Sequence, residues 1–378
     1  MDEYRILEGK KLRYGYTTGT CAAAAARAAA ALILAEDPEE ARSLEILTPR
    51  GSRVILIPED IRREGSRASC GVRKDAGDDP DITNGIVIRA EVTKNRASRI
   101  IIRGGPGVGR VTKPGLDPPV GAPAINRTPL RMIRENLQAV CEKYGYRGGL
   151  TVTISIPGGE ALAQKTFNPR LGILGGLSIL GTSGVVEPKS NDGFTGAIRA
   201  EFSVLRAGGD RKALITPGNY GKDFLKAWGG AAGRVPVVCS NYIGEALDMA
   251  VEFGFEQLLL VGHIGKLIKL VTGNFNTHSR YGDPRLEIFA AYAGLAGAPR
   301  RLIGQILDCA VTEQALVLLG GGKLWEDVKG RILAGIQEQL DRRCGGKIKT
   351  GAVLFSTTRG LLGSTPGAAD ILKQWEGR

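Results

Sequence analysis

Short apolar runs separated by glycine- and proline-bearing turns set the rhythm of this chain, and the length of each run sorts it into helix or strand. Cys21 to Ala35 (CAAAAARAAAALILA) predicts a strong helix, because alanine has the best intrinsic helix propensity and Thr17, Thr18 or Thr20 can cap its start. So much alanine makes a thin helix that another layer can approach closely. Glu45 to Ile57 holds two apolar runs around a Pro-Arg-Gly-Ser turn and reads as a hairpin. Gly85 to Val92 and Ser98 to Arg103 predict strands, Thr128 to Lys143 a helix and Leu150 to Ile156 a further strand. The first half is therefore α+β.

From about residue 211 the rhythm changes to short apolar strands, each followed by a polar or glycine-bearing turn and then a helical pattern. The strands are Ala213 to Ile215, Val235 to Cys239 and Gln257 to Val261, with helices beginning near Asn219, Asn241 and His263. Successive βα units require a parallel sheet with right-handed crossovers, and such sheets bind ligands at the carboxyl ends of their strands. A helix from Leu324 to Arg342 and a strand near Ala352 to Phe355 follow. This half is α/β, Rossmann-like without the glycine fingerprint. Between the halves, Pro157 to Pro188 is apolar and glycine-dense, and reads as a buried crossing segment that lines a cleft. The expected division is an α+β domain over 1–170, the crossing segment over 171–210 and an α/β domain over 211–378.

Composition narrows the function classes. The 378 residues carry 51 lysines and arginines against 39 acids, a net charge of +12 that attracts polyanions. Aromatics are only 6%, too few for an extended base-stacking platform. No apolar run approaches the length of a membrane span, and the N-terminus has no signal-peptide core. Cysteines 21, 70, 141, 239, 309 and 344 are scattered without a CxxC pair, and there are two histidines. That fits reduced thiols in a cytoplasmic protein with no metal site. No GxGxxG, P-loop or GxSxG context occurs, which disfavours a conventional dinucleotide, nucleotide or serine-hydrolase site.

Several constellations carry candidate chemistry. Gly172, Gly175, Gly176, Gly181 and Gly184 leave main-chain N–H groups open to a ligand, or else pack backbone against backbone. Lys74 to Thr83 (KDAGDDPDIT) places Asp75, Asp78, Asp79 and Asp81 together, as a divalent-metal loop, a raised-pKa acid or base, partners of basic residues, or a solvated turn. His263 and Lys266 follow a buried strand, and His278 closes NFNTHS; imidazoles so placed suit proton transfer or structural hydrogen bonds. Asn219, Asn241 and Asn276 either bind ligand or cap turns. Cys21 sits in the first helical turn, where the dipole lowers a thiol pKa, unless it is simply buried among alanines.

Taken as a set, YGYTTGTCAAAAARAAA, KDAGDDPDIT, GVGRVTKPGL, PVGAPAINRTP, GEALAQKTFNPRLGILGGLSILGTSGVVEP, SNYIGEALDMA and LLVGHIGKLIKL with NTHS closely resemble the CbiD family. The likeness runs from about residue 13 to beyond 280 and is weaker after that. One departure is Arg127, which follows Asn126 where the family pattern has proline. The resemblance implies S-adenosylmethionine as methyl donor and a cobalt-bound, ring-contracted tetrapyrrole as acceptor. The reaction implied is methylation of ring carbon 1 of cobalt-precorrin-5B to give cobalt-precorrin-6A. A polycarboxylate macrocycle would account for the charge without nucleic acid or membrane, and the cobalt belongs to the substrate. On that basis Gly175, Gly176, Gly181, Thr182, Gly218, Asn219, Ser240 and Asn241 are expected around the donor. Thr17, Thr18, Lys74, Asp78, Lys266 and Asn276 are expected against the acceptor, and His263, Asp75 and His278 are candidates for catalysis. Rival classes are an RNA- or polyanion-binding module and a metal-dependent phosphotransfer enzyme.

Overall fold

The computed structural model describes residues 3–35 and 38–376. The chain divides into two compact units, the first ending at Asn191 and the second beginning at Asp192. Unit 1 opens with a ribbon of β1 (Tyr4–Leu7) and β2 (Lys10–Arg13), then β3 (Gly15–Tyr16) leads into α1 (Thr18–Leu34). The hairpin β4 (Leu44–Leu47) and β5 (Arg53–Leu56) precedes β6 (Glu59–Glu64), β7 (Arg67–Arg73), β8 (Val87–Asn95) and β9 (Ile101–Gly104). After β10 (Gly107–Val108) and β11 (Arg110–Val111) come α2 (Arg127–Lys143), β12 (Gly149–Ser155), α3 (Gly159–Ala163) and α4 (Asn168–Leu171). Three two-residue strands complete the unit: β13 (Ile173–Leu174), β14 (Gly176–Leu177) and β15 (Val185–Val186).

The main sheet runs β6-β7-β8-β12-β9, antiparallel except for the parallel β12–β9 pair. Its central strands alternate: Ile88, Ala90 and Val92 of β8 and Leu150, Val152 and Ile154 of β12 are buried, while Arg89, Glu91, Thr151 and Thr153 turn to the other face. The buried face meets α1, which lies between the sheet and α2. Being covered on both sides, α1 cannot be amphipathic: only Arg27 and Leu34 are even half-exposed. Alanine satisfies that constraint, since it lets backbone approach backbone without losing helix propensity.

Unit 2 contains α5 (Asp192–Ala207), β16 (Lys212–Thr216), α6 (Asn219–Trp228), β17 (Val237–Val238), α7 (Ile243–Glu252), β18 (Gln257–His263) and α8 (Ile264–Leu267). It continues with α9 (Arg285–Leu295), α10 (Arg300–Leu307), α11 (Thr312–Leu319), α12 (Lys323–Cys344), β19 (Lys349–Ser356), β20 (Gly360–Ser364) and α13 (Pro366–Glu376). The sheet order is β17-β16-β18-β19-β20. Its two faces carry separate apolar layers. Ala213, Ile215, Leu258 and Leu260 pack with residues of α5, α7, α9 and α12, while Leu214, Leu259, Val261 and Phe355 pack with Leu225 of α6 and Ile371 and Trp375 of α13. Strands buried on both faces lose the in–out alternation, which is why β18 reads as one apolar run.

Three expectations change. The sheet of unit 2 is mixed, because β20 returns antiparallel to β19 through a tight turn. The glycine-dense stretch does not behave as one crossing segment: residues 171–191 pair within unit 1 through β13, β14 and β15, and the residues after Asn191 begin α5. The strand expected at Val235 to Cys239 shrinks to β17, since Pro236 has no N–H to give a ladder. Placing a branched side chain in the alanine layer tests the packing directly. Ala25→Leu should lose about 1–3 kcal/mol through overpacking, read as a lower urea midpoint by circular dichroism.

Candidate active site

In unit 1 the first turn of α1 is stitched to the glycine-dense segment. Thr17 caps the helix, its hydroxyl accepting from the Thr20 N–H at 3.3 Å. The Gly19 N–H donates to Leu180 O at 2.8 Å, the Thr20 hydroxyl to Gly184 O at 2.6 Å, and the Leu180 N–H to the Thr18 hydroxyl at 2.8 Å. The same segment is woven into the loop before α2: Gly109 N–H donates to Leu177 O at 2.8 Å, Ile179 N–H to Ala124 O at 2.8 Å and Asn126 N–H to Ile179 O at 3.1 Å. Most of the glycines serve this weave. A Cβ on Gly176 would stand 2.3 Å from Gly107 O, one on Gly181 2.2 Å from the Thr17 hydroxyl, and one on Gly184 2.8 Å from Pro49. Gly175 differs: at φ +77° it is exposed, with open space where a Cβ would be, and Thr182 is exposed nearby in sequence. Thr17 and Thr18 thus spend their hydroxyls within the fold.

The aspartate loop is equally committed. Asp75 grips the Arg13 guanidinium at 2.6 and 2.9 Å and accepts from Gly77 N–H at 2.8 Å. Hydrogen bonding to Arg13 holds its carboxyl below the usual value. Asp78 accepts from the Arg13 N–H at 2.6 Å and Asp79 from the Lys189 N–H at 2.7 Å. Asp81 pairs at 2.6 Å with Lys74, a lysine whose side chain is only 2% exposed. Burial works to raise the Asp81 carboxyl, but the Lys74 ammonium and the Thr83 hydroxyl and N–H outweigh it and bring it down. The raised-pKa option therefore fails for Asp75 and Asp81, because each carboxylate faces a fixed cation; pairing with basic residues is what the loop does. Burial pushes the Cys21 thiol up to about 12, so the helix dipole does not activate it.

In unit 2 the chain leaves β16 toward β17 on one side and β18 toward β19 on the other, so the carboxyl ends of β16 and β18 flank a topological switch point. After β16 come Gly218 at φ +104° and the exposed Asn219 at the start of α6. β18 ends in His263, whose Nδ1 accepts from the Gly265 N–H at 3.0 Å and caps α8. With Nδ1 accepting, the neutral ring carries its proton on Nε2, which lies 2.9 Å from Glu313 Oε1 and 3.2 Å from the Thr357 hydroxyl. Both ring nitrogens are engaged. Lys266, one turn on, is half-buried, and among the described residues no hydrogen bond or ion pair holds its ammonium. Burial, with the like charge of Lys269, draws it below the usual lysine value.

The other candidates form a neighbouring loop cluster. Asn241 accepts from the Thr277 hydroxyl and N–H, each at 3.1 Å; Asn276 accepts from the His278 N–H at 3.3 Å. His278 is exposed and its Nδ1 accepts from Arg280 N–H at 3.2 Å. Ser240 holds a left-handed φ of +52°. Sequence reading missed Glu313, Thr357 and Thr358, which distant parts of unit 2 bring to His263. Glu313 accepts from the Thr357 N–H at 3.0 Å on Oε1 and from the Thr358 hydroxyl on Oε2. Burial alone would raise its carboxyl, but Thr358, the Thr357 N–H and His263 together hold it below the usual value. Among the described residues no group of three or more His, Cys, Asp or Glu is placed to hold a metal ion.

The CbiD family model matches residues 5–188, and that of the CbiD C-terminal domain matches residues 276–366. A protein of Ruminiclostridium cellulolyticum named cobalt-precorrin-5B C(1)-methyltransferase is 45% identical over 380 residues, covering 99% of this chain and 98% of its own length. The chain belongs to the CbiD family. A Thermoanaerobacter sp. relative of the same name is 47% identical over 319 residues, 84% of this chain and 86% of its own. A crystal structure of the cobalamin biosynthesis protein CbiD from Archaeoglobus fulgidus is 30% identical, covers 73% of this chain and 86% of that one, and superposes with a TM-score of 0.40. The family motifs around Thr17, Gly107, Pro119 and Gly172 are the ones that interlock in unit 1.

The buried pair in unit 1 gives a test of its structural weight. Asp81→Asn leaves the Lys74 ammonium buried without a counter-charge and should cost about 3–5 kcal/mol at pH 7. Because the Asp81 carboxyl is lowered in the folded state, its contribution is present above the unfolded carboxylate pKa of about 4 and disappears as pH falls through the folded value. Urea titrations at pH 7 and in acid should show the two proteins converging at low pH.

Proposed function

We propose that this chain methylates ring carbon 1 of cobalt-precorrin-5B, with S-adenosylmethionine as donor, to give cobalt-precorrin-6A in anaerobic cobalamin synthesis. The observation that carries this reading is the near full-length likeness, at 45% identity, to a protein bearing that activity in its name. The charge distribution supports it: between residues 92 and 170, thirteen lysines and arginines stand against four acids, so +9 of the +12 lies in about one fifth of the chain. Arg110, Lys113, Arg131 and Arg134 in this stretch are exposed, a surface suited to the carboxylates of a tetrapyrrole. We assign the enzyme to the cytoplasm, without a protein-bound metal; among the described residues no helix is long and apolar enough to cross a membrane.

S-adenosylmethionine supplies an electrophilic methyl group, so the protein's task is to align two substrates and keep water out. Unit 2 serves, in this reading, as a Rossmann-like donor domain. Gly218, Asn219, Ser240 and Asn241 border the strand ends, and the open backbone at Gly218 leaves room for a ligand. Lys266 offers an ammonium that the fold leaves without a partner, which suits an acceptor carboxylate. His263 acts through its neighbours, because its two nitrogens are already bonded. Gly175 and Thr182 remain open to a ligand in unit 1, whereas Gly176, Gly181, Thr17, Thr18, Lys74, Asp75 and Asp78 hold the framework. Asn276 and His278 belong to the loop that borders Asn241.

Incubation of the purified protein with S-adenosylmethionine and cobalt-precorrin-5B should give a product heavier by one methylene, unaffected by chelator; no product, or a magnesium requirement, defeats the proposal. Lys266→Met should raise KM for the acceptor about tenfold or more with a smaller change in kcat. Esterified acceptor should bind more weakly than the free acid. Equal affinity would assign the basic stretch to another partner.

A further inference from the structure

The carboxylate of Glu313 is held without lysine or arginine. Acids elsewhere in unit 2 are commonly answered by arginine or lysine, as Asp248 is by Arg343, Glu252 by Arg199 and Asp283 by Arg285. Glu313 instead meets the Thr357 N–H, the Thr358 hydroxyl and His263 Nε2. Among the described residues no lysine or arginine pairs with it. Those three partners hold its carboxyl below the usual value against the effect of burial, and its side chain is 22% exposed. Oε1 takes two of the three donors and Oε2 one, so Oε2 retains capacity for another. The group sits where β18 and β19 end side by side, His263 being in register with Phe355.

We propose that Glu313 binds the α-ammonium of the methyl donor. This rests on the methyltransferase reading and extends it to a residue and a ligand group. The donor carries two cationic centres, and only one is a suitable partner for a fixed anion. The sulfonium loses its charge as the methyl leaves, so an adjacent carboxylate would favour the ground state over the transition state. The ammonium keeps its charge throughout, so pairing it with Glu313 anchors the donor without opposing the reaction. The Nε2–H tautomer of His263, set by the Gly265 N–H, then has a purpose: it makes the ring a donor to Glu313 and prevents it from competing for the ammonium proton.

The test is calorimetric binding of S-adenosylhomocysteine and of 5′-methylthioadenosine, which has the same nucleoside and thioether but no amino-acid end. Glu313→Gln, near-isosteric and uncharged, should weaken S-adenosylhomocysteine about tenfold or more and leave methylthioadenosine unchanged. Unchanged S-adenosylhomocysteine affinity overturns the proposal, and equal weakening of both ligands overturns it in favour of the ribose hydroxyls. His263→Asn supplies a second variant: asparagine retains an N-cap acceptor for Gly265 but loses the donor to Glu313. It should weaken S-adenosylhomocysteine selectively by a smaller factor, and no selective loss there counts against the assignment. If the wild-type protein binds neither ligand, the methyl-donor reading itself falls; if it binds both and Glu313→Gln binds as well, only the role of Glu313 does.

Discussion

Burying the first turn of α1 is the constraint around which unit 1 is built. A helix end has N–H groups with no partner inside the helix, and leaving one unbonded away from water costs on the order of a kcal/mol or more. Here the turn is sealed, with Thr18 and Thr20 at most 6% exposed, so carbonyls must be brought to it. Leu180 and Gly184 supply them, and the chain that carries them must come within backbone distance of the helix. That close approach dictates Gly181 and Gly184, and the return of the same segment past Gly107 and Gly109 dictates Gly176. The threonines, the glycines and the alanines of α1 are therefore one adaptation, in which side chains are removed wherever two stretches of main chain must touch.

Much of this architecture was legible in sequence because single-residue properties decided it. The alanine run could only be a helix, and the apolar blocks at Ala213 and Gln257 could only be strands buried on both faces. Legibility failed where the deciding partner lay far away. β6 (EDIRRE) has no apolar run to announce it, since an edge strand protects itself with charge, and only pairing with β7 makes it a strand. Glu313 and Thr357 lie 50 and 94 residues from His263, and no spacing rule joins them. The glycines announced tight geometry without saying whether a ligand or another part of the fold caused it; for Gly176 it is β10, for Gly181 the Thr17 cap of α1, and for Gly184 the turn at Thr48 and Pro49. The aspartates announced repulsion, and the answer lay in Arg13 and Lys74, one of them outside the motif.

The two units treat charge in opposite ways. Unit 1 closes its polar groups on one another in the aspartate loop, and the buried Lys74–Asp81 pair fixes that loop rather than presenting a reactive group. Among the described residues, unit 2 leaves a lysine of α8 without a partner and a glutamate of α11 without a lysine or arginine, both beside the carboxyl ends of β18 and β19. Half-buried charges weaken a fold unless something answers them, so Lys266, which has no partner, and Glu313, which has three hydrogen bonds but no lysine or arginine, both call for a return from a ligand. A zwitterionic donor and a polyanionic acceptor would each give one.

The pairing of β15 with β3 has a consequence for how the protein is made. Residues 185 and 186 lie against residues 15 and 16, so β3 has no partner until β15, the last strand of unit 1, has been synthesised. A nascent chain on the ribosome therefore carries the alanine helix with an open N-terminal turn through most of unit 1's translation, a long-range closure that slows folding. Unit 2 repeats the delay, because β18 waits for β19 across the whole of α9 to α12. Each unit is locked by its own tail, and a ribosome stalled shortly before either closing strand would hold a chain whose apolar helix or sheet edge is bare, a natural client for a chaperone.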